Sequence, residues 1–356
     1  MNRIIETFIS KYWKSIRKKK NVVGYSGVLH PRIKDGIEIP DTKCVRIYVV
    51  KKEPEYKLRA KDIIPRVLNL GCKIETDIVE IGRVRFLDSS NNNSVVRTTP
   101  EDHRKKYRPY PAGVSATNIH STACTLNFFF KKKMDTSLGV PRYKVLIAGN
   151  YHCFALEGKA KEGDPILQPS PYDNGTASDI IGRFLYGVPV KYSEYRCPIR
   201  QALYRLYRAL KFMVTFKDTE PSNKVDIAFA EPINVEDIKL EILGIPGRVV
   251  GLGEHKKGTI IYKAGRTSGV TSGPIEDPYW CGYVQGRRGV AFFVDCVLCK
   301  AKCSPGDSGS PVVSYKEMDK LLYHGALFAG SNNENLVYCK AENIIRESGA
   351  EVILYA

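Results

Sequence analysis

A mainly β protein, with short strands closing into barrels or sandwiches behind a smaller α+β unit, is what this 356-residue chain points to. Three observations carry that expectation. From about residue 112 onward, short β-rich runs at 125–130, 143–148, 225–230, 259–263, 290–294, 311–314 and 325–329 alternate with Gly, Pro and Asn turns. No repeat of roughly 20–50 residues is present, which argues against a solenoid or propeller. The length suits about two domains of ordinary size, and 43% apolar with 26% charged residues is a globular balance that excludes a mostly disordered chain.

The N-terminal unit reads element by element. Ile5, Phe8, Ile9, Tyr12, Trp13 and Ile16 recur at helical spacing before Lys18-Lys19-Lys20. Such a helix either docks on its own protein or lies on an anionic membrane surface. Residues 44–49 alternate as a half-buried strand should, 62–65 suit a short helix, and 78–84 return to strand character. The polar run 89–94, the charged stretch 101–107 and Pro109/Pro111 mark a boundary, so the first unit is placed at 1–108. Two helices interrupt the β pattern beyond it. One spans 198–214, with Pro198 in its first turn, an apolar stripe of Ile199, Leu203, Leu206, Leu210 and Met213, and Arg200, Arg205, Arg208 and Lys211 opposite. The last spans 341–348, with Gly349 as its stop.

Lys plus Arg number 55 against 38 Asp plus Glu, a net charge of +17. A surface of that sign attracts polyanions, and Arg200, Tyr204, Arg205, Tyr207 and Arg208 interleave cations with rings that could stack on bases. No nucleic-acid motif accompanies the charge, so nucleic acid stands as a possible partner that is not favoured. No apolar run approaches the ~20 residues of a membrane helix, and residues 1–20 lack a signal peptide's apolar core. A cytoplasmic protein is expected, and with it reduced thiols or metal sites among the ten cysteines. A homo-oligomer is compatible with the sequence.

The chemistry concentrates in Cys303-Ser304-Pro305-Gly306-Asp307-Ser308-Gly309-Ser310-Pro311. Small residues on either side of Ser308 let the backbone fold tightly enough for the amides of Gly306 and Ser308 to converge on one oxygen. A serine hydroxyl is a weak nucleophile without a base. His152 ends the β-run 146–149, the rigid position a catalytic imidazole needs, although any single histidine also suits a surface or core role. Asp226 is an acid inside the apolar run 223–230. Such a carboxylate is costly unless a His N–H or another cation pairs with it.

These residues carry a resemblance. Gly306-Asp307-Ser308-Gly309-Ser310-Pro311 resembles the nucleophile motif of trypsin-like serine peptidases, His152-Cys153 their histidine motif, and 223–229 the segment of their catalytic Asp. The order His152, Asp226, Ser308 is that of the family. The chain is most similar to the plant Narrow-leaf type and its bacterial relatives. The stretches that match are 112–115, 163–169 and 263–269, with 21–82 as a similar N-terminal unit.

The resemblance implies two six-stranded antiparallel β-barrels of the chymotrypsin type. The first, at 109–235, carries His152, Asp226 and the helical insertion 198–214. The second, at 236–356, carries Ser308. It implies a serine endopeptidase acting on proteins or peptides, with no metal or cofactor; the alternative is a protease-fold scaffold with little or no turnover. Ser310 replaces a glycine, and Gly149-Asn150-Tyr151 precedes the histidine in place of Thr-Ala-Ala. No Ile-Val-Gly-Gly start is present to supply a new N-terminus to Asp307, which therefore needs another partner.

By the same resemblance Lys302, six positions before Ser308, would floor the specificity pocket and favour acidic side chains. Phe328, Ala329 and Gly330 would wall it and pair with the substrate backbone. Cys124 and Cys153 match the family's histidine-loop disulfide. Cys296, Cys299 and Cys303, with Cys281 or Cys339, could hold a metal, or Cys303 could brace its loop through a disulfide.

Overall fold

The computed structural model describes residues 3–34, 37–87, 101–134, 142–193, 221–332 and 334–355. The expected helix at 198–214 and the loop at 89–94 lie outside them. The architecture is mainly β, of the expected class.

The first half of the molecule is a seven-stranded sheet, antiparallel throughout. Its strand order is Glu351–Val352, Phe129–Met134, Arg142–Gly149, Ala228–Pro232, Ile180–Gly187, Pro165–Leu167 and Thr117–Asn118. One edge strand comes from the C-terminus, which crosses back to pair Val352 with Phe130. The second half closes six antiparallel strands into a ring of pairings: Ile260–Gly265, Gly269–Gly286, Gly289–Lys300, Asn335–Lys340, Lys320–Ser331 and Pro311–Glu317. The ring is not a clean barrel, because further strands branch from it. The long strand Gly269–Gly286 also pairs with Val22–Lys34, which continues through Ile37–Val49 and Lys73–Glu80 to Val67–Asn69. Apolar side chains from both halves form one core that includes Phe129, Ile147, Phe229, Trp280, Phe293 and Phe328.

The N-terminal helical turns, Arg3–Phe8, Ile9–Trp13 and Lys14–Ile16, spend their apolar stripe on the protein itself. Ile5, Phe8, Trp13 and Ile16 are buried against Tyr25, Val45, Ile47, Leu68 and Phe292. That settles the choice between docking and membrane anchoring in favour of docking. Among the described residues, no helix is long and apolar enough to cross a membrane.

This helix also changes the expectation for 44–49, which are buried on both faces rather than one. Val45, Ile47 and Val49 meet the helix. Arg46 on the opposite face pairs with Asp77 at 3.2 Å, and the Tyr48 hydroxyl donates to Asp277 at 2.7 Å. The alternation of polar and apolar residues is real, but the polar set is satisfied inside the protein instead of by water. The short helix expected at 62–65 forms one turn earlier, as a 3-10 turn at Ala60–Asp62. The last helix runs Ala341–Ser348 and stops at Gly349, whose φ is +70°.

Candidate active site

His152 sits in the single turn Tyr151–Phe154, directly after the strand Arg142–Gly149. Asp226 lies just before the adjacent strand Ala228–Pro232, whose pairing with Arg142–Gly149 sets Ala228 opposite Gly149. Ser308 approaches from the other half, in the loop before Pro311–Glu317. Three segments far apart in sequence therefore meet between the halves. His152 Nδ1 lies 2.5 Å from Asp226 Oδ2, and its Nε2 lies 2.8 Å from Ser308 Oγ.

The acid is held from several sides. Asp226 is fully buried, and its second oxygen accepts the His152 backbone N–H at 3.2 Å. The Asn150 side-chain amide donates to the Asp226 carbonyl at 2.6 Å, and the Asp226 N–H donates to Cys339 Sγ at 3.2 Å. Asn150, one of the residues that differ from the trypsin-like histidine motif, thus ties the segment before His152 to the Asp226 backbone.

The Ser308 loop is equally constrained. Gly306 and Gly309 have φ of +97° and +98°, in the region that favours glycine. A Cβ on Gly309 would stand 2.0 Å from the Thr125 carbonyl oxygen. The Thr125 N–H donates to the Ser308 carbonyl at 2.7 Å, and the Asn127 side-chain amide donates to the Gly309 carbonyl at 2.7 Å.

The partner that Asp307 needed is Lys263. Both side chains are fully buried, with Nζ 2.9 Å from Oδ2. The carboxylate also accepts the backbone N–H groups of Thr267, Ser268 and Ser304 at 2.9, 3.0 and 2.9 Å, and the Ser268 hydroxyl. Burial pushes the Asp307 carboxyl upward; the Lys263 charge and the Ser268 and Lys263 hydrogen bonds outweigh it and hold the group below the usual carboxylate value.

Next to this pair, Asp173 accepts both Arg266 Nε at 2.8 Å and Arg266 Nη2, along with Ser115 Oγ at 2.6 Å. Burial raises its carboxyl, and Arg266 pulls it back below the usual value. The stretches around Ser115 and Lys263–Arg266, quoted above only as sequence likenesses, are thus joined behind the Ser308 loop. Lys263 and Arg266 were visible in the sequence as residues of a quoted stretch, but without a partner.

Phe328, Ala329 and Gly330 lie in Lys320–Ser331, which pairs with Asn335–Lys340 on one side. On the other side it receives the short strand Arg85–Phe86, antiparallel, with Ala329 opposite Phe86 and Gly330 opposite Arg85. Leu87 follows. Its N–H donates to the Phe328 carbonyl at 3.4 Å, and its carbonyl accepts the Gly306 N–H at 2.9 Å. Lys302 is half-buried, and its carbonyl accepts the Thr271 hydroxyl at 2.8 Å.

Cys124 and Cys153 are disulfide-bonded, while Cys281, Cys296, Cys299, Cys303 and Cys339 are free. The metal and loop-disulfide expectations for those five do not hold among the described residues: the one close cluster of ligand-type groups is Cys124, His152 and Cys153, and its two sulfurs are bonded to each other. Cys303 lies instead against the Asn335 carbonyl, at 3.6 Å, and burial pushes its thiol up to about 12.

No protein-family model matches the chain, and no curated protein matches it. Among solved structures it is similar to Thermobifida fusca protease A, with a TM-score of 0.42 and 11% identity over 69% of this chain and 100% of that one. It is similar to a Cellulomonas bogoriensis chymotrypsin, at 0.42 and 14% over 69% and 100%. A Nocardiopsis protease scores 0.40 at 13% identity over 68% and 99%.

Proposed function

We propose that the protein is a serine endopeptidase of the trypsin-like kind, with Ser308 as nucleophile, His152 as general base and Asp226 as the group that orients it. The observation that carries this reading is the unbroken contact from Asp226 through His152 to Ser308, at 2.5 and 2.8 Å. In the proposed reaction Ser308 Oγ attacks a peptide carbonyl while His152 Nε2 takes its proton. Asp226, buried and fixed to Nδ1, stabilises the imidazolium that forms. The Gly306 amide, with that of Ser308, holds the oxyanion; losing one such donor typically costs about 3 kcal/mol. His152 then returns the proton to the leaving amine, and water releases the acyl group by the reverse sequence.

The finer likeness to the Narrow-leaf type rests on short motifs alone. For specificity, an apolar preference is favoured over an acidic one: Leu87, whose backbone carbonyl accepts from Ser308 Oγ at 3.1 Å, packs its side chain in a cluster with Leu327, Val297 and Cys303.

Reaction of the full-length chain with a fluorophosphonate probe, located by peptide mass spectrometry, tests the assignment. Label on Ser308 that disappears in Ser308→Ala and falls steeply in His152→Ala supports an enzyme. An unlabelled Ser308 in a chain that also shows no peptide-bond hydrolysis by mass spectrometry, under conditions where a control serine protease reacts, leaves the silent scaffold as the better reading.

A further inference from the structure

We infer that residues 85–87 of this chain lie in the cleft as a peptide substrate would, and that the bond following Leu87 is cleaved by Ser308 in the same molecule. The inference rests on the peptidase reading and deepens it, because it names the first substrate of the site.

Four contacts set the register. Arg85–Phe86 extends the sheet antiparallel to Lys320–Ser331, which is how an extended peptide is captured at a strand edge. The Leu87 N–H reaches the Phe328 carbonyl, completing that pairing at the residue nearest the nucleophile. The Leu87 carbonyl accepts the Gly306 N–H at 2.9 Å, so it occupies the position where an oxyanion would be held. The same carbonyl oxygen accepts the Ser308 hydroxyl at 3.1 Å, and Ser308 Oγ is also 2.8 Å from His152 Nε2. The Leu87 carbonyl group, accepting a backbone donor and within hydrogen-bond reach of a hydroxyl beside its base, thus lies next to the group proposed to attack it.

The side chains fit the same description. Leu87 is 6% exposed, in an apolar pocket with Leu327 and Cys303. The Phe86 ring lies 5.1 Å from the His152 ring and 6.1 Å from Phe328. Ser308 is fully buried in this arrangement, so an external peptide can reach it only after 85–87 leave.

The step balances with water as the second reactant. Ser308 Oγ bonds to the Leu87 carbonyl carbon, His152 takes the hydroxyl proton, and the bond to the Asp88 nitrogen breaks as that nitrogen receives the proton. Water then attacks the ester, giving a Leu87 carboxylate and regenerating Ser308. The fragment ending at Leu87 stays in place, because Gly24, Tyr25 and Ser26 pair with Gly282, Cys281 and Trp280, and the helical turns from Arg3 to Ile16 are packed in the core.

The test is denaturing intact-mass analysis and N-terminal sequencing of the purified full chain, beside Ser308→Ala, Leu87→Asp and the fluorophosphonate label. The expected result is a fragment ending at Leu87 and another beginning at Asp88 in the wild type, with native mass still 40.0 kDa plus one water. Ser308→Ala stays whole, and Leu87→Asp cuts the cleaved fraction more than about tenfold, since an acid cannot replace leucine in an apolar pocket. A wild-type chain that labels at Ser308 yet remains whole overturns the inference and leaves the peptidase reading standing. Cleavage persisting in Ser308→Ala also overturns it. A chain that neither labels nor cleaves overturns both.

Discussion

Replacing Lys263 by methionine removes the buried cation paired with Asp307 while keeping most of the side-chain volume. Lys263 and Asp307 are both fully buried, 2.9 Å apart. Breaking a buried pair by deleting one partner costs about 3–5 kcal/mol, because the other charge is left uncompensated. Three backbone N–H groups still reach the Asp307 carboxylate, which places the expected loss of folding stability at the low end, about 3 kcal/mol.

The same change strains the Ser308 loop, since Asp307 stands between Gly306 and Ser308. If the Gly306 amide leaves its position, the proposed reaction loses about 3 kcal/mol of oxyanion stabilisation, roughly a hundredfold in rate. Denaturant unfolding reads the first quantity, and the rate of Ser308 labelling reads the second. The double variant Lys263→Met with Asp307→Asn should recover most of the stability, because it removes the orphaned charge. The sign with pH follows from the lowered carboxyl. Asp307 contributes stability above its unfolded value, 3.8, and that contribution is lost as pH falls through the lower folded value. The deficit of Lys263→Met should therefore narrow in acid. A Lys263→Met protein with wild-type unfolding midpoint and labelling rate would refute the reasoning.

Two further outcomes follow from the geometry. Asp226→Asn should keep the fold but lower the rate of Ser308 acylation about 10⁴-fold, the loss known for this replacement in the trypsin triad, because the amide no longer fixes the His152 tautomer; circular dichroism beside single-turnover kinetics checks it, and a loss below tenfold would contradict the assigned role. His324 is buried, 2.9 Å from Ser314 Oγ, and burial together with the neighbouring His255 pushes its value down from 6.5 to about 3, with Glu342 opposing. A histidine lowered on folding contributes stability fully above its unfolded value and loses it as pH falls, so unfolding free energy should drop by about 2 kcal/mol between pH of about 7.5 and 5 from this group, and His324→Asn should flatten that slope in denaturant titrations.

What was readable in the sequence, and what was not, divides by range. Ser308, His152 and Asp226 each sit in a segment whose local chemistry is odd: a tight small-residue turn, an imidazole closing an apolar run, an acid inside one. Those oddities survive without coordinates. Lys263 carries no such mark. It occupies the strand Ile260–Gly265 like any surface lysine, and only the pairing with Pro311–Glu317 brings it beneath Asp307. Leu87 is more opaque still. It lies beyond the strand expected at 78–84, and nothing local says that Arg85, Phe86 and Leu87 meet Gly330, Ala329 and Phe328, more than two hundred residues away. The cysteine expectations failed for a related reason. Spacing along a strand suggested a shared centre for Cys296, Cys299 and Cys303, whereas Cys303 lies past the end of Gly289–Lys300, against Asn335.

Lys263 and Leu87 together bear on how such a site could be controlled. In a chain where the acid beside the nucleophile waits for a newly made N-terminus, the loop is built only after cleavage. Here the buried cation is supplied by the chain itself, so the Ser308 loop is complete at once, with Gly306 already donating to a carbonyl. If the site is catalytic, it needs a different restraint, and the cleft provides one: Ser308 is fully buried, with the chain's own Leu87 carbonyl against its hydroxyl. On the proposed reading, control passes from building the oxyanion loop to emptying the strand edge at Phe328–Gly330. Cutting after Leu87 alone would not empty it, since the pairing of Arg85 and Phe86 with Gly330 and Ala329 survives the cut. Turnover of other peptides should then follow the rate at which that short strand detaches. Substitutions that weaken its pairing should speed the reaction of external substrates even though they touch none of the three reacting groups.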